Sequence, residues 1–151
     1  MSPVRTASQL ARLVRELLRL PAETEWLEDK DGNNKPEEIG RYISALANGA
    51  ALAEHDRAYM LWGIQDGTRA VVGSDFAPYR SKVGNENLEN WLLRHLAPQV
   101  HFSFHEVLID GQRVVALEID RALHQPVTFK NEAYVRARPS DAAGGHLRGA
   151  G

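Results

Sequence analysis

The chain has 151 residues, 43% of them hydrophobic and 25% charged, which are ordinary globular values and most simply describe one domain. It has no cysteine, which excludes disulfides and thiolate metal sites, and its N-terminal stretch and apolar runs fit neither a signal peptide nor a membrane span. Its 18 basic and 20 acidic residues leave a net charge of −2, without the basic excess of a strong nonspecific DNA binder.

Thr6 or Ser8 is placed to cap a first helix, in which Leu10, Leu13, Val14, Leu17 and Leu18 recur at helical spacing and Pro21 marks the end. Residues 25–30 read as a short strand around Trp26, followed by the polar loop D-G-N-N-K. Pro36 suits the first turn of a second helix, with Glu37 and Glu38 at its positive end. Its expected buried stripe is Ile39, Tyr42, Ile43, Leu46, Ala47 and Ala50. A strand through Tyr59, Leu61 and Ile64 is expected to turn at D-G-T-R into Val71 and Val72 as a hairpin. Asn85 or Asn87 caps a third helix containing Leu88, Trp91, Leu92 and Leu96, stopped by Pro98. From His101 the period becomes two, so H-F-S-F-H-E-V-L-I, D-G and Q-R-V-V-A-L-E-I predict a second hairpin. Two short strands, 127–129 and 133–136, flank K-N-E, and the tail after Pro139 has no apolar periodicity and is expected to be disordered. The expectation is one α+β domain with three helices and a mixed sheet of five to seven strands.

Three sets of residues carry chemistry. Glu23, Glu28 and Asp66, with Glu25 and Asp29 nearby, supply hard oxygen ligands suited to magnesium or manganese, and such a site activates water for phosphodiester cleavage. Strand alternation puts Glu23 and Glu28 on opposite faces, so convergence requires a bend; solvated charges on a strand edge and a turn are the plainer account. Lys30, Arg41, Arg57, Lys82, Lys130, Arg136 and Arg138, with Tyr59, Tyr79 and Tyr134, offer phosphate contacts and stacking surfaces. Lys30 and Arg136 are the preferred contacts, with Arg41 and Lys130 beside them. Asn48 either caps the end of the second helix or orients the acidic site. His101 and His105, four apart on a strand, stand roughly 13 Å from each other, too far to share one zinc. No phosphate-binding loop is present, which argues against ATP hydrolysis by this chain.

The order E-T-E-W-L-E-D-K, I-S-A-L-A-N, W-G-I-Q-D-G, together with G-N-E-N-L-E-N-W-L and P-V-T-F-K-N-E-A-Y-V-R, resembles the Schlafen AlbA domain over residues 23–138. That domain stands at the front of RecG-like helicase-related and transcription-regulating proteins. The expected organisation is residues 1–20 as an N-terminal helix, 21–138 as the Schlafen AlbA-like domain and 139–151 as a disordered tail. The resemblance implies a cytoplasmic, bacterial-type nucleic-acid-binding module, DNA before RNA, with no membrane contact. An effector or ATPase domain would lie outside this chain, and homo-oligomerisation is a further expectation. Some eukaryotic relatives use two glutamates and an aspartate as a metal-dependent ribonuclease site. The matching residues here are Glu23, Glu28 and Asp66, so a magnesium- or manganese-dependent endoribonuclease is the alternative, and a protein-interaction or dimerisation domain the third. Two departures thin the acidic pattern: Asp29 stands where the family commonly has an aromatic, and Gln65 where it commonly has an acid. The chain alone is expected to bind rather than to catalyse.

Overall fold

The computed structural model describes residues 5–20, 24–30, 32, 34–136 and 147–149. Helix α1 (Ala7–Leu18) starts at Thr6, whose hydroxyl accepts from the Gln9 N–H at 3.2 Å while the Gln9 side chain accepts from the Thr6 N–H at 2.7 Å. This reciprocal box satisfies two of the donors that a helix start leaves open. Strand β1 (Leu27–Lys30) is shorter than the sequence suggests, because Glu25 and Trp26 form a turn. The Trp26 indole is turned onto the ring of His55, stacked at 3.7 Å. Helix α2 (Pro36–Leu52) leads to β2 (Arg57–Trp62), which runs parallel to β1 with Glu28 level with Met60 and Lys30 with Trp62.

The expected hairpin after β2 shrinks to a single bridge between Ile64 and Val71. Gly63, at φ 100°, ends the strand, and its N–H and that of Ile64 both turn to the Lys30 carbonyl. After a 3-10 turn at Pro78–Arg80, a small hairpin of β3 (Lys82–Val83) and β4 (Glu86–Asn87) precedes α3 (Leu88–His95). Asn87 caps α3 by accepting from the Asn90 N–H at 2.8 Å. Strands β5 (Leu96–Ala97), β6 (Phe102–Ile109), β7 (Gln112–Asp120), β8 (Thr128–Phe129), β9 (Glu132–Arg136) and β10 (Leu147–Gly149) follow. They complete two four-stranded sheets, ordered β1-β2-β7-β6 and β10-β9-β8-β5. The domain is α+β, with three α-helices among the described residues. Among the described residues there are ten strands against the expected five to seven, mainly because β3, β4 and β5 are two-residue ladders, too short to leave a periodicity, and β10 lies in the expected tail. In the expected disordered tail, Leu147–Gly149 pairs with β9, supplying partners for that strand's edge; the other tail residues lie outside the described ones.

The first sheet is buried on both faces. Met60, Trp62, Val115, Leu117, Phe102 and Phe104 face α2 and α3, while Leu27, Tyr59, Leu61, Val107, Ile109, Val114 and Ala116 face α1 through Val14 and Leu17. All six residues of the expected α2 stripe are buried, and so are Gly40, Ser44, Ala45, Asn48 and Gly49. Helix α2 is enclosed because it packs on the first sheet on one side and on β8 and β9 on the other. A Cβ at Gly40 would overlap the Phe129 ring, and one at Gly49 would overlap the Glu25 carbonyl oxygen, so both glycines let neighbouring elements approach the helix backbone. Asn48 is not a C-cap, since the helix continues to Leu52. Its amide instead donates to the carbonyls of Val127 (3.1 Å) and Tyr134 (3.0 Å) and accepts from the Val127 N–H (2.8 Å). Ser44 adds a bond from its hydroxyl to the Val127 carbonyl at 2.7 Å and accepts from the Tyr134 N–H at 3.0 Å. These buried polar contacts fix β8 and β9 against α2, which determines where Arg136 points. Among the described residues no helix is long and apolar enough to cross a membrane.

Candidate functional site

Strand alternation sends Glu28 and Lys30 to the α2 face of the sheet and Leu27 and Asp29 to the α1 face. Glu28 is buried, and its carboxylate lies between two cations: Arg136 Nη2 is 2.6 Å from Oε1 and Lys30 Nζ is 3.5 Å from Oε2. The Arg136 contact is a charge pair rather than an aligned hydrogen bond, and Oε1 accepts none from a described residue. Burial pushes the Glu28 carboxyl above its ordinary range, with Arg136 and Lys30 opposing that shift. Arg136 also donates to the carbonyls of Thr24, at 2.8 Å, and Leu27, so it ties β9 to the turn before β1. Lys30 donates to Glu38 and to the Tyr42 hydroxyl, each at 3.2 Å, and lies over the Tyr42 ring at 4.4 Å. Desolvation works against its charge, but Tyr42, Glu28 and Glu38 outweigh it and raise its pKa.

The other two proposed contacts gather round the same helix end. Lys130 sits in the β8–β9 turn at φ 49°, over the rings of Trp91 and Phe129, and forms an ion pair with Glu37. Arg41 is exposed on α2, three and four residues after Glu38 and Glu37, hence one turn along the same face. Lys30, Lys130 and Arg136 thus pair with three carboxylates, Glu28, Glu37 and Glu38, around the first two turns of α2, while Arg41 stands exposed on the same helix. Asp66 is apart from them, exposed in the turn beyond Gly63, without a hydrogen bond or ion pair to Glu28 or Lys30 among the described residues. Glu23 and Arg138 lie outside the described residues. Among the described residues no group of three or more His, Asp or Glu is arranged to hold a metal ion, and Glu28 already has its charge balanced. The described side chains therefore do not by themselves form a cation site.

Two charged clusters escaped the sequence reading. Asp29 is used on the α1 face, where the Arg69 guanidinium donates to both its oxygens (2.7 and 3.3 Å) and to the carbonyls of Leu17, Leu18 and Leu20 at the end of α1. The signal was present as Asp29 in place of an aromatic, but its partner Arg69 lies 40 residues further along, in the turn after β2. Further along that face Glu118 is enclosed by Arg5 (2.6 Å), Arg57 (3.7 Å), His105 (3.5 Å) and the Tyr59 hydroxyl (3.3 Å). Desolvation raises the Glu118 carboxyl, but bonds to His105 and Arg5 and the field of Arg57 prevail and hold it down at about 2. Tyr59 is pushed up to about 12 by burial and by Glu118. Arg57 and Tyr59 are therefore occupied inside the fold, while Lys82 and Tyr79 remain exposed and Tyr134 is half-buried.

The model of the family "Schlafen, AlbA_2" matches residues 23–143. Comparison with curated proteins gives no match. Among solved structures, the DIP2311 protein from Corynebacterium diphtheriae is similar at a TM-score of 0.52 and 16% identity, over 94% of this chain and 26% of that one. The N-terminal domain of a protein from Nitrosomonas europaea, named for its relation to the ATP-dependent DNA helicase RecG, is similar at 0.50 and 17% identity, over 84% and 82% respectively. The chain spans about a quarter of the length of the first of these. At these identities the likeness is one of fold.

Proposed function

The chain belongs to the Schlafen AlbA_2 family, and from that premise we propose that it is a nucleic-acid-binding module, acting on DNA, of a RecG-related or transcription-regulating protein. The observation that carries the reading is the gathering of Lys30, Arg41, Lys130 and Arg136 about the first turns of α2, since phosphates are held by cations preset on rigid elements. Glu28, Glu37 and Glu38 offset most of that charge, so binding is weak and an incoming phosphate competes with ion pairs already formed. Arg41 and Lys130, both exposed, meet the phosphate first; Lys30 and Arg136 hold the surface in shape. The test is a salt titration of binding to duplex DNA, single strands and structured RNA. Replacing Arg41 and Lys130 by alanine is expected to reduce the log–log salt slope on duplex by about 1.8, two contacts at about 0.9 each. Parent protein with no affinity for any of the three would overturn the reading.

The rival, a magnesium- or manganese-dependent endoribonuclease using Glu23, Glu28 and Asp66, rests on the buried carboxylate of Glu28. It requires a cation to displace Arg136 from 2.6 Å, which places it second. Manganese-dependent RNA cleavage lost in Glu28→Gln would promote it above the binding reading.

A further inference from the structure

The side of the sheet opposite α2 carries a second basic surface. Helix α1 bears Arg12 and Arg15, and Arg19 is its C-cap residue; all three are exposed, at positions i, i+3 and i+7, so they share one face. Arg15 is partly engaged by Asp110 at 3.0 Å, an exposed pair of little strength. Arg12 and Arg19 have no ion pair among the described residues, and the exposed Glu16 is the only acid in the helix. The helix is held at both ends. Arg5, just before it, donates to both Glu118 oxygens at 2.7 and 2.6 Å, and Arg69 binds the carbonyls at its C-terminal end together with Asp29. Its apolar side, Val14 and Leu17, is buried on the sheet. The arginines are therefore presented by a docked helix, which lowers the cost of ordering them on a ligand.

We infer that the exposed face of α1 is a second phosphate-contact surface, on which Arg12 and Arg19 grip a nucleic-acid backbone. The inference rests on the binding reading above and adds to it a surface outside the matched residues 23–143. Guanidinium suits this role because its planar fork bonds two phosphate oxygens at once. The two side chains start about 10 Å apart along the helix axis, seven residues at 1.5 Å each. That distance corresponds to about three steps of 3.4 Å rise on one strand when the helix lies along the duplex axis. Recognition is through the backbone and independent of base sequence.

The test uses the full chain with fluorescently labelled duplex of mixed sequence, titrated from 50 to 200 mM salt. Arg12→Gln with Arg19→Gln is expected to melt like the parent and to lower the log–log salt slope by about 1.8. Over that fourfold salt range the variant should lose about twelvefold less affinity than the parent loses. Glu16→Gln should change affinity the opposite way, strengthening it. A parent that binds with the same slope as the double glutamine variant overturns this inference and leaves the α2 reading standing. A parent that binds no nucleic acid overturns both. A slope lowered only by the Arg41 and Lys130 variants assigns all contact to the α2 side and removes α1 from it.

Discussion

Asn48 is expected to hold the two sheets together, and its removal tests how α2 is docked. The Asn48→Ala variant loses three hydrogen bonds at once: two donated to the Val127 and Tyr134 carbonyls and one accepted from the Val127 N–H. The Val127 carbonyl keeps the Ser44 hydroxyl at 2.7 Å. The Val127 N–H loses its acceptor and the Tyr134 carbonyl loses this donor. An unsatisfied buried polar group costs about 1–3 kcal/mol, so the expected loss is about 2–4 kcal/mol. For a domain of this length that corresponds to a fall in Tm of about 8–15 °C.

Asn48→Asp separates hydrogen bonding from packing. A carboxylate keeps the size and still accepts from the Val127 N–H, but it faces two carbonyl oxygens with no proton to give and buries a charge. It is expected to be worse than alanine at neutral pH and to recover below the carboxyl's raised pKa. Urea and thermal unfolding followed by circular dichroism give both values. An alanine variant within about 0.5 kcal/mol of the parent, or an aspartate variant at least as stable as alanine, refutes the reasoning.

Arg69→Ala leaves Asp29, only 7% exposed in its side chain, without its cation, and the expected cost is about 3–5 kcal/mol; the same melts should place Arg69→Ala with Asp29→Ala well above the sum of the two singles. Gly49→Ala forces a methyl group into the Glu25 carbonyl and is expected to cost at least about 1–3 kcal/mol despite alanine's better helix propensity, whereas a gain in Tm would show that the turn before β1 yields easily. Glu118, held down at about 2 against an ordinary 4.5, stabilises the fold above pH 4.5, and this contribution is lost as pH falls towards 2. After discounting for solvent screening it amounts to about 1–2 kcal/mol, and Glu118→Gln should flatten the acid limb of stability against pH. Glu37→Gln frees Lys130 of its ion pair and is expected to raise nucleic-acid affinity while leaving the salt slope little changed, since Lys130 is already counted among the parent's phosphate contacts, read in the same titration as the parent.

Where an element is long and one-sided, the sequence was legible. Thr6, one of the two residues placed to cap α1, does so, and the apolar stripe of α2 is buried as spaced; β6 and β7 pair as the expected hairpin, although Val114 to Leu117 are buried in an unbroken run because both faces of the sheet are covered. Asn48 was misread because a helix interior rarely holds a buried amide. N-G looks like a helix end until β8 and β9 are present to receive its bonds, and those strands lie some eighty residues further along. A two-residue strand such as β5 has no period to detect, and its pairing with β8 alone makes it a strand.

The alternation of Glu28, Asp29 and Lys30 was equally open to reading, and it correctly sends neighbouring charges to opposite faces. What the sequence does not contain is which opposite charge each one meets. Arg136 returns from the far end of the chain to Glu28, Arg69 claims Asp29, and Lys130 takes Glu37. Net charge is therefore a poor guide to what this protein binds. The total of −2 counts cations already held by carboxylates together with cations that are not. Phosphate attraction depends on the second group, and among the described residues that group includes Arg12 and Arg19 on α1 and Arg41 on α2, exposed on opposite sides of one sheet. A near-neutral chain can in this way present local positive surfaces, and their contribution should fade with salt as exposed charges do.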